Sequence, residues 1–312
     1  MYVILLPLFP YNPYSHFMYI ILGSSGNTGK QIAQTLLDAG KPVTVVSRSA
    51  EHVADLVAKG AVPAIGQIED QAFLTRIFTG ATAVYALIPP NFATQDFFAY
   101  QTAAGDSIAA AAAASKVPNL VLLSSVGAHL SENSGVILGL HLLEEKLKAI
   151  PGLNTLAIRA GFFMQNFFGN IGLIKGMGIH GGFPIAGDVP MGMIHVRDIA
   201  TYAAQRLLAL DFSGYAYVNL PGQRVLTFSE ATRVLGEAIG KPELPWVTFS
   251  YDDARNGMLQ SGLSESLAGM YIEFSRAVNE GRLNSEAAQN PGVFTETSIE
   301  AFAQEFAGAY HA

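Results

Sequence analysis

The chain has 312 residues, half of them apolar and 14% charged, with a net charge of −7 and no cysteine. That length and apolar content allow a substantial buried core and exclude general disorder. A negative balance without any Lys/Arg-rich run argues against nucleic acid and membranes as partners, and the absence of thiols removes disulfides, thiolate nucleophiles and cysteine-ligated metals, as expected of a cytoplasmic protein.

The opening segment MYVILLPLFPYNPYSHF, residues 1–17, is apolar, lacks Lys and Arg, and is broken by Pro7, Pro10 and Pro13. It has neither the positive start nor the cleavage site of a secretory signal, and its unbroken apolar part is too short to span a bilayer. It reads as a dispensable extension ahead of Met18.

From Met18 the pattern alternates. YIIL (19–22) predicts a strand, followed by the glycine-rich GSSGNTG (23–29) and a helix carrying Ile32, Ala33, Leu36 and Leu37 on one face. Gly40 and Pro42 close that helix. VTVVS (43–47), VPAIG (62–66) and AVYALI (83–88) predict further strands, with helices at 51–60 and 70–80 between them. A helix over about 92–115 contains an alanine run at 109–114, and a strand at 120–125, a helix at 139–150 and a strand at 154–161 follow. Beyond residue 160 the rhythm breaks. Residues 169–188 read as loop-rich, 195–210 as helix, 215–220 as strand and 227–240 as helix, with Thr227 and Glu230 spaced as a capping box. A last helix is expected near Thr297, with Glu300 three residues on.

Strands alternating with helices predict βαβ units and a parallel sheet covered on both faces. The expected fold is α/β: a Rossmann-type doubly wound parallel sheet over residues 18–160, with a smaller C-terminal α/β part over 161–312 interleaved with it.

Gly23, Gly26 and Gly29 stand between the first strand and the first helix. In that context the first glycine allows a tight turn, the second a close backbone approach to a pyrophosphate, and the third close helix–strand packing, with the helix N-terminus facing the anion. The spacing is weak by itself and gains force from its place at the head of several βαβ units. The second strand ends in Ser47-Arg48-Ser49, with no acid to bond ribose hydroxyls. A guanidinium there can grip a 2′-phosphate with two hydrogen bonds, which favours NADP(H) over NAD(H); the alternative is that Arg48 only begins a surface loop. Gln67 and Ile68 follow the third strand, where an adenine would be covered, and Ile88 and Pro89 follow the fourth, where a nicotinamide ribose would lie.

No tyrosine is followed by lysine four residues later, so the usual alcohol-dehydrogenase dyad is missing. Neither an HExxH metal pair nor a G-x-S-x-G elbow is present, so no metal site is expected. His141 with Glu145 shares a helix face and is the candidate proton donor. The competing reading has His141 packing or capping while Glu144, Glu145, Lys146 and Lys148 form a solvated face. Ser124 and Ser125 end the fifth strand, where they either bond a ligand or make turn contacts.

GSSGNTG, VSRS, VLLSSVGA (121–128) and above all HLLEEKLKAIPGLNTLAIRAGFFMQNF (141–167) resemble the NmrA-like family. This is the atypical branch of short-chain dehydrogenases/reductases that includes bacterial NADPH-dependent quinone and triphenylmethane-dye reductases. The resemblance runs from Met18 to the C-terminal helix. It implies NADP(H) contacts from Gly23, Ser24, Gly26, Asn27, Thr28, Gly29 and Arg48, and places His141, Phe163 and Asn166 near the nicotinamide. Gln67 stands where many relatives carry an acid. Phe162, Phe163, Phe167 and Phe168 either line a cleft for a flat apolar substrate or belong to the core. The expected activity is NADPH-dependent hydride transfer to a small quinone-like acceptor. A non-catalytic NADP(H)-sensing regulator is the alternative, and an epimerase or dehydratase is weaker without the Tyr/Lys dyad.

Overall fold

The computed structural model describes residues 18–286 and 290–312. Residues 1–17, read above as a dispensable extension, lie outside them. The first part of the chain runs β1 (Tyr19–Ile21), α1 (Asn27–Asp38), β2 (Val43–Ser47), α2 (Ala54–Ala58), β3 (Val62–Ile65), α3 (Gln71–Phe78), β4 (Ala83–Ala86), α4 (Phe97–Ser115), β5 (Asn119–Ser125), α5 (Leu138–Lys148) and β6 (Asn154–Ala160). Apolar runs bounded by Gly or Pro become strands here because they are buried on both faces, as in Val43–Ser47. The helix expected from about 92 begins only at Phe97, where Asp96 accepts a hydrogen bond from the Ala99 N–H at 3.0 Å and caps it.

Later elements are β7 (Phe162–Phe163), α6 (Ile171–Met177), β8 (His180–Gly181), β9 (Pro190–Ile194), α7 (Val196–Ala209), β10 (Tyr215–Leu220), β11 (Val225–Thr227), α8 (Phe228–Ala238), β12 (Trp246–Val247), α9 (Tyr251–Gln260), α10 (Glu265–Asn279) and α11 (Ile299–His311). The stretch expected to be loop-rich holds a 3₁₀ helix at Met164–Asn170, then α6 and β8. Gly169, Gly172 and Gly176 face open space, so a helix forms through them without steric demand. At α11 the N-cap is Ser298, not Thr297. The Thr297 hydroxyl is already committed, donating to Asp198 Oδ1 at 2.6 Å. The capping box at α8 is formed, with Glu230 N–H donating to Thr227 Oγ1 at 3.1 Å and Thr227 N–H to Glu230 Oε2 at 2.8 Å. A cap of this kind contributes about 1 kcal/mol.

Seven strands form one parallel sheet in the order β10-β6-β5-β4-β1-β2-β3. This is the doubly wound arrangement, and β10 returns to it after the chain has already built part of the second lobe. One face packs Ile32 and Leu36 of α1, Leu56 of α2 and Ile199, Ala203 and Leu207 of α7. The other packs Leu74 and Phe78 of α3, Ile108 and Ala111 of α4, and Leu143 and Leu147 of α5. The alanine run lets α4 sit close to its neighbours, since small side chains permit close approach. A third core lies in the second lobe, around Phe167, Phe228, Phe302 and Phe306, each at most 1% exposed. Burying an aromatic of this size stabilises the fold by about 1.5–3 kcal/mol. Among the described residues, no helix is long and apolar enough to cross a membrane.

Candidate functional site

In an open parallel sheet, crevices form beyond the carboxyl ends of the strands, where the loops turn towards opposite faces. Such a groove lies beyond β1–β4, lined by Gly23, Ser25, Arg48, Gly66, Ile68, Glu69, Pro89 and Tyr100 among others. Gly23 has φ +63°, in the left-handed region that favours glycine. A Cβ at Gly29 would lie 2.4 Å from the Gly23 carbonyl oxygen, so α1 can start this close to β1 only with glycine there. Gly26 and Asn27 are exposed at the mouth of α1. α1 starts without a side-chain cap and without an acid in its first turn. Its first backbone N–H groups therefore have no intrahelical acceptor, and its positive dipole end is unopposed. This end can receive an anion.

Two loop side chains named above turn inward. Ser24 is fully buried, donating to the Ile21 carbonyl at 2.5 Å and accepting from the Val46 N–H at 3.0 Å. Thr28 is also buried and accepts from the Tyr85 hydroxyl at 3.0 Å. Burial holds the Tyr85 hydroxyl well above the usual phenol range, so it stays a donor. Ser24 also donates its backbone N–H to the Val46 carbonyl at 3.3 Å, so it serves the turn, whereas the Thr28 backbone N–H lies in the first turn of α1.

Arg48 is exposed at the groove and forms no ion pair among the described residues. The turn carrying it is held by Ser49 N–H donating to Ser47 Oγ at 3.2 Å. Ile68 and Pro89 line the groove, but Gln67 and Ile88 do not. Gln67 is exposed outside it, and Ile88 packs into the core, its Cδ1 3.8 Å from where a Cβ would stand on Gly105 of α4. Among the lining residues that sequence reasoning missed are Glu69 and Tyr100. Glu69 sits in the same strand-end turn as Gln67 and Ile68, two residues beyond the position where many relatives carry an acid. Tyr100 carries no local signal; it reaches the groove from α4 and donates to the Pro89 carbonyl at 2.8 Å. Burial, then the Glu69 charge, pushes its hydroxyl up to about 12, partly offset by Arg48.

The rim beyond β5 and β6 differs. His141, in the first turn of α5, is half-buried with Nδ1 2.8 Å from the Ala128 carbonyl. A carbonyl only accepts, so Nδ1 carries the proton and Nε2 bears the lone pair of the neutral ring. His141 can give a proton through Nε2 only when it is the imidazolium. Ser124 is not available to a ligand as expected: it is 3% exposed and donates to Glu144 Oε1 at 2.5 Å. Glu144 is not on a solvated face either. It is 1% exposed and accepts from Arg159 Nη2 at 2.6 Å and from the Tyr215 hydroxyl at 2.7 Å. Arg159 also donates to Glu286 Oε2 at 2.7 Å, and its guanidinium lies 4.0 Å from the Tyr217 ring centre. Burial opposes the charge on Arg159, but Glu144 and Glu286 outweigh it and hold the guanidinium above its usual value. Glu145, the partner first offered to His141, is exposed and pairs with Lys148 at 3.4 Å.

The phenylalanines divide. Phe162, Phe167 and Phe168 enter the second core, with Phe162 5.3 Å from both Phe167 and Phe228 and Phe168 5.2 Å from Phe302, centre to centre. Phe163 turns the other way and packs, half-buried, against the core of the main sheet, while Asn166 is exposed. Among the described residues, no group of three or more His, Asp or Glu could hold a metal ion.

Known proteins share this architecture. The chain is 26% identical over 254 residues, 80% of its length and 84% of the other's, to an NAD(P)H azoreductase of Xenophilus azovorans. Its fold matches an NADPH-dependent quinone oxidoreductase of Escherichia coli, solved with NADPH, at TM-score 0.74 and 20% identity, over 92% of this chain and 99% of that one. It also matches a Citrobacter sp. triphenylmethane reductase, solved with NADP(H), at TM-score 0.74 and 19% identity, over 93% and 100%. The model of the NmrA-like family matches residues 18–302, so the chain belongs to that family.

Proposed function

We propose that the chain is an NADPH-dependent reductase of a small conjugated acceptor, quinone-like in chemistry. The observation that carries this reading is the groove beyond β1–β4, bordered by the glycine turn that leads into the uncapped α1 and by a guanidinium that forms no ion pair among the described residues. A dinucleotide phosphate presents two anionic groups, and the α1 end and Arg48 are matched to one each. Backbone N–H groups of Asn27 and Thr28 would hold the pyrophosphate, with Gly26 giving it room to approach, Ile68 would cover the adenine, and Pro89 would border the ribose beyond it. The azoreductase, quinone oxidoreductase and triphenylmethane reductase named above support reduction of a flat conjugated acceptor.

When bound, the reduced dinucleotide supplies hydride from its nicotinamide C4. The chain's own part is to orient the two reactants and exclude water, with Phe163 and Asn166 on the rim beside β6 as candidate substrate contacts. His141 is the candidate proton donor, through Nε2 of its charged form; otherwise water supplies the proton.

The test is to mix purified protein with NADPH and a panel of quinones, azo dyes and triphenylmethane dyes, following loss of absorbance at 340 nm, where reduced nicotinamide absorbs. Turnover is expected on at least one class. Tight NADPH binding with no turnover on any acceptor overturns the enzyme reading in favour of a dinucleotide-sensing regulator. His141→Ala is expected to lower kcat more than cofactor affinity.

A further inference from the structure

The groove that holds Arg48 also holds Glu69, and these are its two charged lining side chains. The two do not pair: neither forms an ion pair among the described residues, yet both line the groove with Tyr100, whose hydroxyl feels both charges. Glu69 is held there by its backbone, since the buried Ser107 hydroxyl donates to its carbonyl at 2.7 Å, while its side chain stays solvent-facing. The next residue, Asp70, caps α3 by accepting from the Phe73 N–H at 2.9 Å, which fixes the turn from the other side. The backbone that carries the carboxylate is therefore pinned beside the groove.

A 2′-phosphate brings about −1.5 to −2 charges near neutral pH. It meets a groove whose one cation and one carboxylate cancel, whereas a ribose hydroxyl in its place would meet no net charge. We propose that Glu69 is a specificity-determining residue that holds down the preference for NADPH over NADH, so that the wild-type chain accepts both. This rests on the cofactor reading given above and adds to it the group that sets the ratio. Glu69 acts by repulsion across an open groove, so its effect falls with salt, unlike a buried hydrogen bond.

The experiment measures Kd for NADPH and for NADH by quenching of protein fluorescence, in wild type, Glu69→Gln and the control Glu145→Gln. The control removes an equal charge from α5, outside the groove. Glu69→Gln is expected to tighten NADPH about three- to tenfold at low ionic strength, leave NADH within about twofold, and lose most of the gain at 1 M salt. Glu145→Gln is expected to change neither. An unchanged NADPH/NADH ratio in Glu69→Gln, or equal weakening of both nucleotides, overturns the proposal; the second result would make Glu69 a direct hydrogen-bond acceptor for the adenine. Failure of the underlying cofactor reading is seen separately, as a wild-type protein that binds neither nucleotide.

Discussion

Two arginines near the carboxyl ends of strands in the same sheet have opposite fates. Arg48, just past β2, is exposed and has no carboxylate partner among the described residues. Arg159, inside β6, is 6% exposed, bonded by two carboxylates and laid against an aromatic ring. A charge already satisfied by its neighbours holds structure together, and one left unsatisfied at a groove is available to a ligand. The same division separates the serines: Ser124 is spent on Glu144, while Ser25 is exposed beside the glycine turn.

The most severe way to test that division is to break the buried pair. Glu144→Ala strands part of the Arg159 charge in the interior, and the expected loss is about 3–5 kcal/mol in chemical denaturation. A loss under about 1 kcal/mol would mean that water reaches the pair and that the two arginines are not so different.

The second lobe offers a parallel case in His180. It is fully buried among Phe167, Trp246 and Phe306, with Nδ1 2.7 Å from the Thr232 hydroxyl. Burial pushes its pKa down to about 4, while in the unfolded chain it titrates near 6.5. The unfolded state therefore binds the extra proton first. Stability from this group is complete above about pH 6.5 and is lost as pH falls through 4, roughly 3 kcal/mol in all. Replacing His180→Phe with Thr232→Val, so that no hydroxyl is left unpaired, is expected to flatten the stability profile between those values. An unchanged slope would assign it to other groups.

Arg48→Ala gives the opposite signature. NADPH affinity is expected to fall about 10–100-fold, with NADH much less affected. Stability of the unliganded protein should stay within about 0.5 kcal/mol. Equal weakening of both nucleotides would remove Arg48 from the 2′-position. The smallest effect is expected at Ser124→Ala, about 1–2 kcal/mol in stability with NADPH affinity unchanged. A marked loss of affinity there would return Ser124 to the ligand.

The main sheet was readable because its strands are short apolar-rich runs bounded by Gly or Pro, and Val43–Ser47 and Tyr215–Leu220 fall where the pattern puts them. The second lobe was not, since β7, β8 and β12 are two-residue pairings that carry no period. α9 went unread because its apolar positions are sparse, with only Ala254 buried, and α10 was passed over although it buries Leu267, Ala268, Ile272, Ala277 and Val278. At the site, the loop glycines and Arg48 are neighbours in sequence and were visible together. Spacing misled at α5, where the i,i+4 rule selects Glu145 as the partner of His141, yet the helix turns Glu144 inward instead. Arg159 and Glu286 are 127 residues apart, so only the folded chain reveals that they meet.

The inward hydroxyl of Ser24 has a consequence for what the groove can measure. By bonding the Ile21 carbonyl and the Val46 N–H at once, it rivets the glycine turn to the strand that ends one residue before Arg48. The proposed anchorage for one anion and the proposed grip for another thus sit on a single stiff piece, and their separation is a gauge set during folding. A ligand is checked against that fixed span, and one whose two anionic groups are spaced differently gains one contact or the other, never both.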